Sequence, residues 1–108
     1  MYIEIANKRI QKLINDEAAL QRKYGKDCAE AIYQRLAQIE ASDNIGHLLK
    51  LGIGNVEQLK GNLSGKYSIR TGKKTRIVFV PVITDDMKED DEYKATKVRV
   101  LSLEGYHD

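Results

Sequence analysis

The sequence predicts an α+β fold in a single domain, and three observations carry this. Residues 1 to about 50 place apolar side chains at helical spacing. Residues 55 to 104 alternate, or run apolar, as strands do. No internal repeat, low-complexity segment or Pro/Ser-rich linker divides the two halves, so they are layers of one core. A length of 108 residues is one domain's worth, enough for one modest core.

The elements follow in order. Met1 to Ile5 alternates enough for a short strand. A first helix is expected from about Ala6 to Tyr24, with Ile10, Leu13, Ile14 and Ala18 as its apolar stripe and Gly25 as its stop. Asp27 is expected to cap a second helix, because its carboxylate can accept from the free amides of the first turn. Cys28, Ile32, Leu36 and Ile39 then recur at helical intervals, so the pair reads as an αα-hairpin. Ser42 to Asn44 ends it, Ile45 to Leu51 is one more helical turn, and Gly52 and Gly54 punctuate the change of period. Lys66 to Arg70 alternates strictly: Tyr67 and Ile69 face one way, Lys66, Ser68 and Arg70 the other. Thr71 to Lys74 fits a hairpin loop. Arg76 to Val82 is apolar on both faces after its first residue, which marks a central strand. Tyr67, Ile69, Ile77 and Phe79 are the expected core of the sheet. The acidic connection from Thr84 to Lys94 is expected to be an extended, solvated loop, and Lys97 to Leu103 is the last strand.

Apolar residues make up 42% and charged residues 31%, which excludes a disordered tail, a collagen and a coiled-coil rod. The longest apolar run, Ile77 to Ile83, is far short of the roughly 20 residues that span a bilayer. One cysteine makes neither an internal disulfide nor a cysteine-based zinc site. A reducing, cytoplasmic location is expected, since the first residues do not resemble a signal peptide. The net charge of +2 hides an asymmetry. Gln58 to Arg76 holds six basic residues and no acidic one, whereas Thr84 to Asp108 holds four basic and eight acidic. A local excess of that kind suits a polyanion such as nucleic acid, or a solvated basic turn.

Few residues carry chemistry. Cys28 lies on an apolar stripe and reads as a small core residue. His47 sits beside Leu48 and Leu49 and reads as structural. The acidic run from Asp85 to Glu92 lacks the ligand spacing and mid-loop glycine of a calcium hand. No phosphate-binding glycine loop, serine elbow or His-Glu-x-x-His motif occurs, and no cofactor or metal is expected. Tyr106-His107 directly follows the last strand. Read alone it is a frayed tail; anchored by that strand, it can return an aromatic ring and an imidazole over the face carrying Arg70 or Lys60. A stacking ring, an acid–base imidazole and a cluster of cations are the parts a metal-free ribonuclease requires.

Leu59-Lys-Gly-Asn-Leu-Ser-Gly-Lys-Tyr-Ser-Ile-Arg70, then Arg76-Ile-Val-Phe79, then Tyr106-His107, resembles the HigB-like killer proteins of the RelE/ParE superfamily of type II toxin–antitoxin systems. The second helix, from Tyr24-Gly-Lys through Gln34-Arg-Leu36, and the long connection before the last strand resemble family members too. The resemblance implies a helical hairpin packed on a twisted antiparallel sheet. It also implies a ribosome-dependent mRNA endonuclease silenced by a cognate antitoxin, with the toxin alone monomeric and oligomeric when bound. Carried over by position, His107 acts in proton transfer and Tyr106 stacks on or orients the scissile nucleotide. Arg76 stabilises the phosphorane, and Lys60 assists on the phosphate side. Arg70, Lys66, Lys73 and Lys74 guide the RNA backbone.

The sequence departs from the pattern where many relatives carry a histidine, here Glu57. It departs again where many carry an aspartate before the Tyr-His pair, here Gly105. Thr75 stands where a tryptophan is familiar. A carboxylate at Glu57 can still serve as a base if burial raises its proton affinity. Two other functions compete: a ParE-like toxin that poisons DNA gyrase, and an inactive relative retained for antitoxin binding.

Overall fold

A computed structural model describes residues 1–87 and 89–105, and the side chains of all of these except Glu89 and Asp90. Strand β1 (Tyr2–Ile5) leads into helices α1 (Lys8–Asn15), α2 (Glu17–Tyr24), α3 (Lys26–Ala41) and α4 (Ile45–Leu51). The chain then forms β2 (Glu57–Gln58), β3 (Tyr67–Arg70), β4 (Thr75–Pro81) and β5 (Lys97–Gly105), in a five-stranded sheet ordered β1-β5-β4-β3-β2. The architecture is the α+β one expected. Strands β2 to β5 run antiparallel to one another in turn, whereas β1 lies parallel to β5, so the sheet is mixed.

The single first helix expected from Ala6 to Tyr24 is two helices. Asp16 takes an extended conformation (φ −123°, ψ 93°), and its carboxylate accepts from the Ala19 amide at 3.1 Å, which starts a new helix at Glu17. The break resets the helical phase: Leu20 is fully buried, and Ala18, expected in the stripe, is exposed. Asp27 is not the cap of α3 either. Gly25 holds that position at φ +87°, and Asp27 sits in the first turn, where its charge favours the helix N-terminus.

Leu20, Ala29, Ile32, Ile39, Ile45 and Leu48 from the helices meet Tyr67, Ile69, Ile77, Phe79, Val98 and Val100 from the sheet. The four sheet positions expected in the core are all fully buried, and the rings of Tyr67 and Phe79 stack at 5.8 Å. The connection before β5 differs from the solvated loop expected. Met87 packs against the core, Glu89–Lys94 forms a 3₁₀ turn, and Ala95 is fully buried. Glu92 accepts from the Gln58 side-chain amide at 3.0 Å, and the Tyr93 hydroxyl donates to Gln58 at 3.2 Å. Apolar residues at Met87 and Ala95 tie the polar segment down at both ends.

Candidate functional site

The helices cover one face of the sheet, and alternation sends Ser68, Arg70 and Arg76 to the other. Pairing aligns them: Arg70 lies opposite Arg76 across β3–β4, and Arg76 lies opposite Glu104 across β4–β5. Glu57 on β2 lies opposite Ser68, one step along that face. Together with Lys73 and Lys74 from the β3–β4 loop and Thr75 at the start of β4, Arg70, Arg76, Glu57 and Glu104 line a cleft of ≈ 150 Å³. Four cations and two carboxylates share it.

The scaffold holds the Arg70 position from behind. Arg35 on α3 donates from Nε to the Arg70 carbonyl at 2.9 Å, which holds the end of β3. Gly54 lets that arm pass. Its φ is +62°, and a Cβ there would stand 2.7 Å from Ile69 Cγ1 and 2.8 Å from Arg35 Nε. The loop that carries Lys73 and Lys74 is closed by the Thr71 amide donating to the Thr75 carbonyl at 3.0 Å. The Thr71 hydroxyl donates to Thr75 Oγ1 at 2.9 Å, and Cys28 Sγ lies 3.4 Å from the same oxygen. Cys28 is thus a half-buried contact beneath the loop. His47 is structural in the way expected: its Nδ1 accepts from the Asp43 amide at 3.0 Å.

Arg76 is held on its strand partner. Its Nε donates to Glu104 Oε1 at 3.0 Å, and its Nη2 stands 2.9 Å from the same oxygen in an ion pair. The Arg70 side chain is exposed and makes no ion pair among the described residues. Such a cleft can grip a phosphodiester by charge-assisted hydrogen bonds, and an exposed carboxylate at Glu57 can take a proton. Glu57 is exposed on the sheet's edge strand, so the burial expected for it is not found.

The structure brings together Arg70, Lys73, Lys74 and Arg76 of the expected residues. Lys60 and Lys66 do not line the cleft. They flank the far end of β3, where Leu59 donates to the Lys66 carbonyl at 2.8 Å, about 13 Å along the strand from Arg70. Lys66 shares the face of Ser68 and Arg70 by alternation, so the basic track extends beyond the cleft. Tyr106 and His107 lie outside the described residues. Glu104 is the cleft residue that sequence reasoning missed; its signal is a carboxylate within the last strand.

Thr75 and Gly105 are cross-strand partners in the β4–β5 register. A Cβ on Gly105 would stand 2.9 Å from Thr75 Cγ2, so any larger residue there requires Thr75 to shift.

The sequence matches no family model and no curated protein. Solved structures do resemble it. A YoeB/ParE toxin from Agrobacterium tumefaciens superposes with a TM-score of 0.61 at 14% identity, over 99% of this chain and 100% of that one. The YoeB–YefM complex from Staphylococcus aureus gives 0.59 at 22% identity, over 100% and 98%. The YoeB dimer from Staphylococcus aureus gives 0.58 at 21%, again over 100% and 98%. The likeness is one of fold, and it extends end to end.

Proposed function

We propose that this chain is the toxin of a type II toxin–antitoxin system in the RelE/ParE superfamily, a metal-independent endoribonuclease acting on ribosome-bound mRNA in the cytoplasm. The observation that carries the reading is the cross-strand pair Arg70–Arg76, joined by Lys73, Lys74 and Glu57 in one cleft. The motif resemblance to HigB-like killer proteins and the whole-length fold likeness to YoeB toxins support it from two directions.

In the reaction, a base removes the proton of an RNA 2′-hydroxyl, whose oxygen attacks the adjacent phosphorus. The bond from phosphorus to the 5′-oxygen breaks, leaving a cyclic phosphate and a 5′-hydroxyl that takes up a proton. Glu57 accepts the first proton, and His107 serves the proton transfer to the leaving oxygen. Arg76 meets the charge of the phosphorane, and Tyr106 stacks on a base beside the scissile bond. Lys60 assists on the phosphate side. Arg70, Lys66, Lys73 and Lys74 hold the backbone of mRNA or ribosomal RNA. The partner is a cognate antitoxin with an acidic segment, matched to the basic track and assembled with the toxin into an oligomer.

The test is toxicity on induction, combined with primer extension on translated mRNA and circular dichroism as the folding control. His107→Ala and Arg76→Ala are each expected to slow cleavage roughly a hundredfold or more while leaving the fold intact. Normal cleavage by both variants would overturn the assignment. A folded parent chain that binds an antitoxin but never cuts would make it an inactive relative. Toxicity through gyrase without cleaved RNA would make it a ParE-like poison.

A further inference from the structure

Arg76 does not meet the cleft as a bare cation. Its Nε and Nη2 both bind Glu104 Oε1, and the other oxygen of that carboxylate accepts from Ser102 Oγ at 3.0 Å. Arg76 and Glu104 are opposite one another in the β4–β5 register, and Ser102 is two residues back on the same face of β5. Both side chains remain partly exposed, at 32% and 44%. An ion pair so open to solvent adds little to stability. Its geometry is better explained by what it does to the guanidinium.

Building on the ribonuclease reading above, we infer that Glu104 is a positioning residue for Arg76, anchored in turn by Ser102. A guanidinium offers five N–H groups in a rigid fork. Glu104 takes the edge formed by Nε and Nη2. The edge formed by Nη1 and the second Nη2 proton is the one left for a phosphodiester. An arginine held on one edge presents the other in a fixed direction, so no reorganisation is needed as the phosphorane charge develops. The carboxylate also places a negative charge beside the incoming phosphate, which weakens ground-state binding. Glu104 therefore raises kcat and raises KM together.

The experiment compares the parent chain with Glu104→Ala and Glu104→Gln in single-turnover RNA cleavage and in NMR of the arginine Nε–H groups, with and without a non-cleavable 2′-O-methyl RNA oligonucleotide. Glu104→Ala is expected to lower kcat by about 10- to 100-fold with KM unchanged or reduced, the scale of a misplaced catalytic group. Glu104→Gln keeps an acceptor oxygen, so it is expected to recover most of kcat with a KM several-fold below the parent's. The Arg76 Nε–H is expected to stay protected from exchange when RNA binds the parent chain, and to lose that protection in Glu104→Ala. Two results would overturn the inference: faster cleavage by both variants, which would make Glu104 a brake, or loss of Arg76 Nε–H protection on RNA binding, which would mean the pair breaks. A parent chain that cuts no RNA would sink the ribonuclease reading alone, because the exchange measurement still shows whether Glu104 holds Arg76 against a bound phosphate.

Discussion

Gly105 and Thr75 face one another across β4 and β5, and the space between them is tight. Gly105→Ala would force its Cβ against Thr75 Cγ2, and is expected to cost about 1 kcal/mol. Thr75→Ser removes that methyl group and keeps the hydroxyl that closes the loop, so it should relieve the strain in the double variant. A thermal double-mutant cycle reads the coupling, and additive effects would show that the two residues do not interfere. Tyr67 is a second residue with its own test. Its hydroxyl is buried with no hydrogen-bond partner among the described residues. Burial first, and then the nearby Glu92 carboxylate, push its proton affinity above the usual tyrosine range. Because the folded value is raised, the stability linked to this group is fully present below about pH 10 and lost as pH rises further. Tyr67→Phe is expected to leave stability at neutral pH unchanged or slightly higher and to flatten that alkaline decline. An unfolding midpoint that falls by several degrees at neutral pH would show that the hydroxyl has a partner.

At the scale of elements, the sheet was legible and the helix break was not. Tyr67, Ile69, Ile77 and Phe79 stand out because alternation is local and the buried face is continuous. Asp16 interrupts a pattern that continues helical on both sides. The available signal was Asn15-Asp16 followed by Glu17, a cap and a first-turn acid in the middle of an apparent helix. Asp16→Ala is expected to destabilise the protein by about 1 kcal/mol through loss of the cap, measured by urea unfolding; no change would mean the break is held by packing alone. The acidic connection misled for a different reason. Composition gives the charges of residues 85–92 but not the two apolar anchors, Met87 and Ala95, that hold the segment to the core. Deleting Asp86 to Glu92 is expected to cost about 1–2 kcal/mol, since Met87 is partly buried and Glu92 bonds Gln58. An unchanged melting temperature would restore the picture of a solvated loop.

For the whole molecule, the sequence revealed which cations to consider but not which of them meet. Arg70, Arg76, Lys73 and Lys74 converge because β3 and β4 pair as a hairpin, a short-range event. The Arg76–Glu104 pair depends on the β4–β5 register. A bulge between Val78 and Phe79 shifts that register, and counting along the sequence cannot locate it. The parallel pairing of β1 with β5 joins the two ends of the chain and leaves no local trace. The basic track predicts that Lys73→Ala weakens RNA binding without much effect on kcat. If Lys73 neutralises one phosphate of a single strand, its removal makes the salt dependence shallower by roughly 0.7 in log–log slope. Cleavage mapping of ribosome-bound mRNA decides whether the chain is a ribonuclease. Induction of the parent chain should give new 5′-hydroxyl ends within translated messages, and Arg76→Ala, folded and equally expressed, should reduce them roughly a hundredfold. An identical pattern of 5′ ends from the parent and the Arg76 variant, or none from either, would contradict the account.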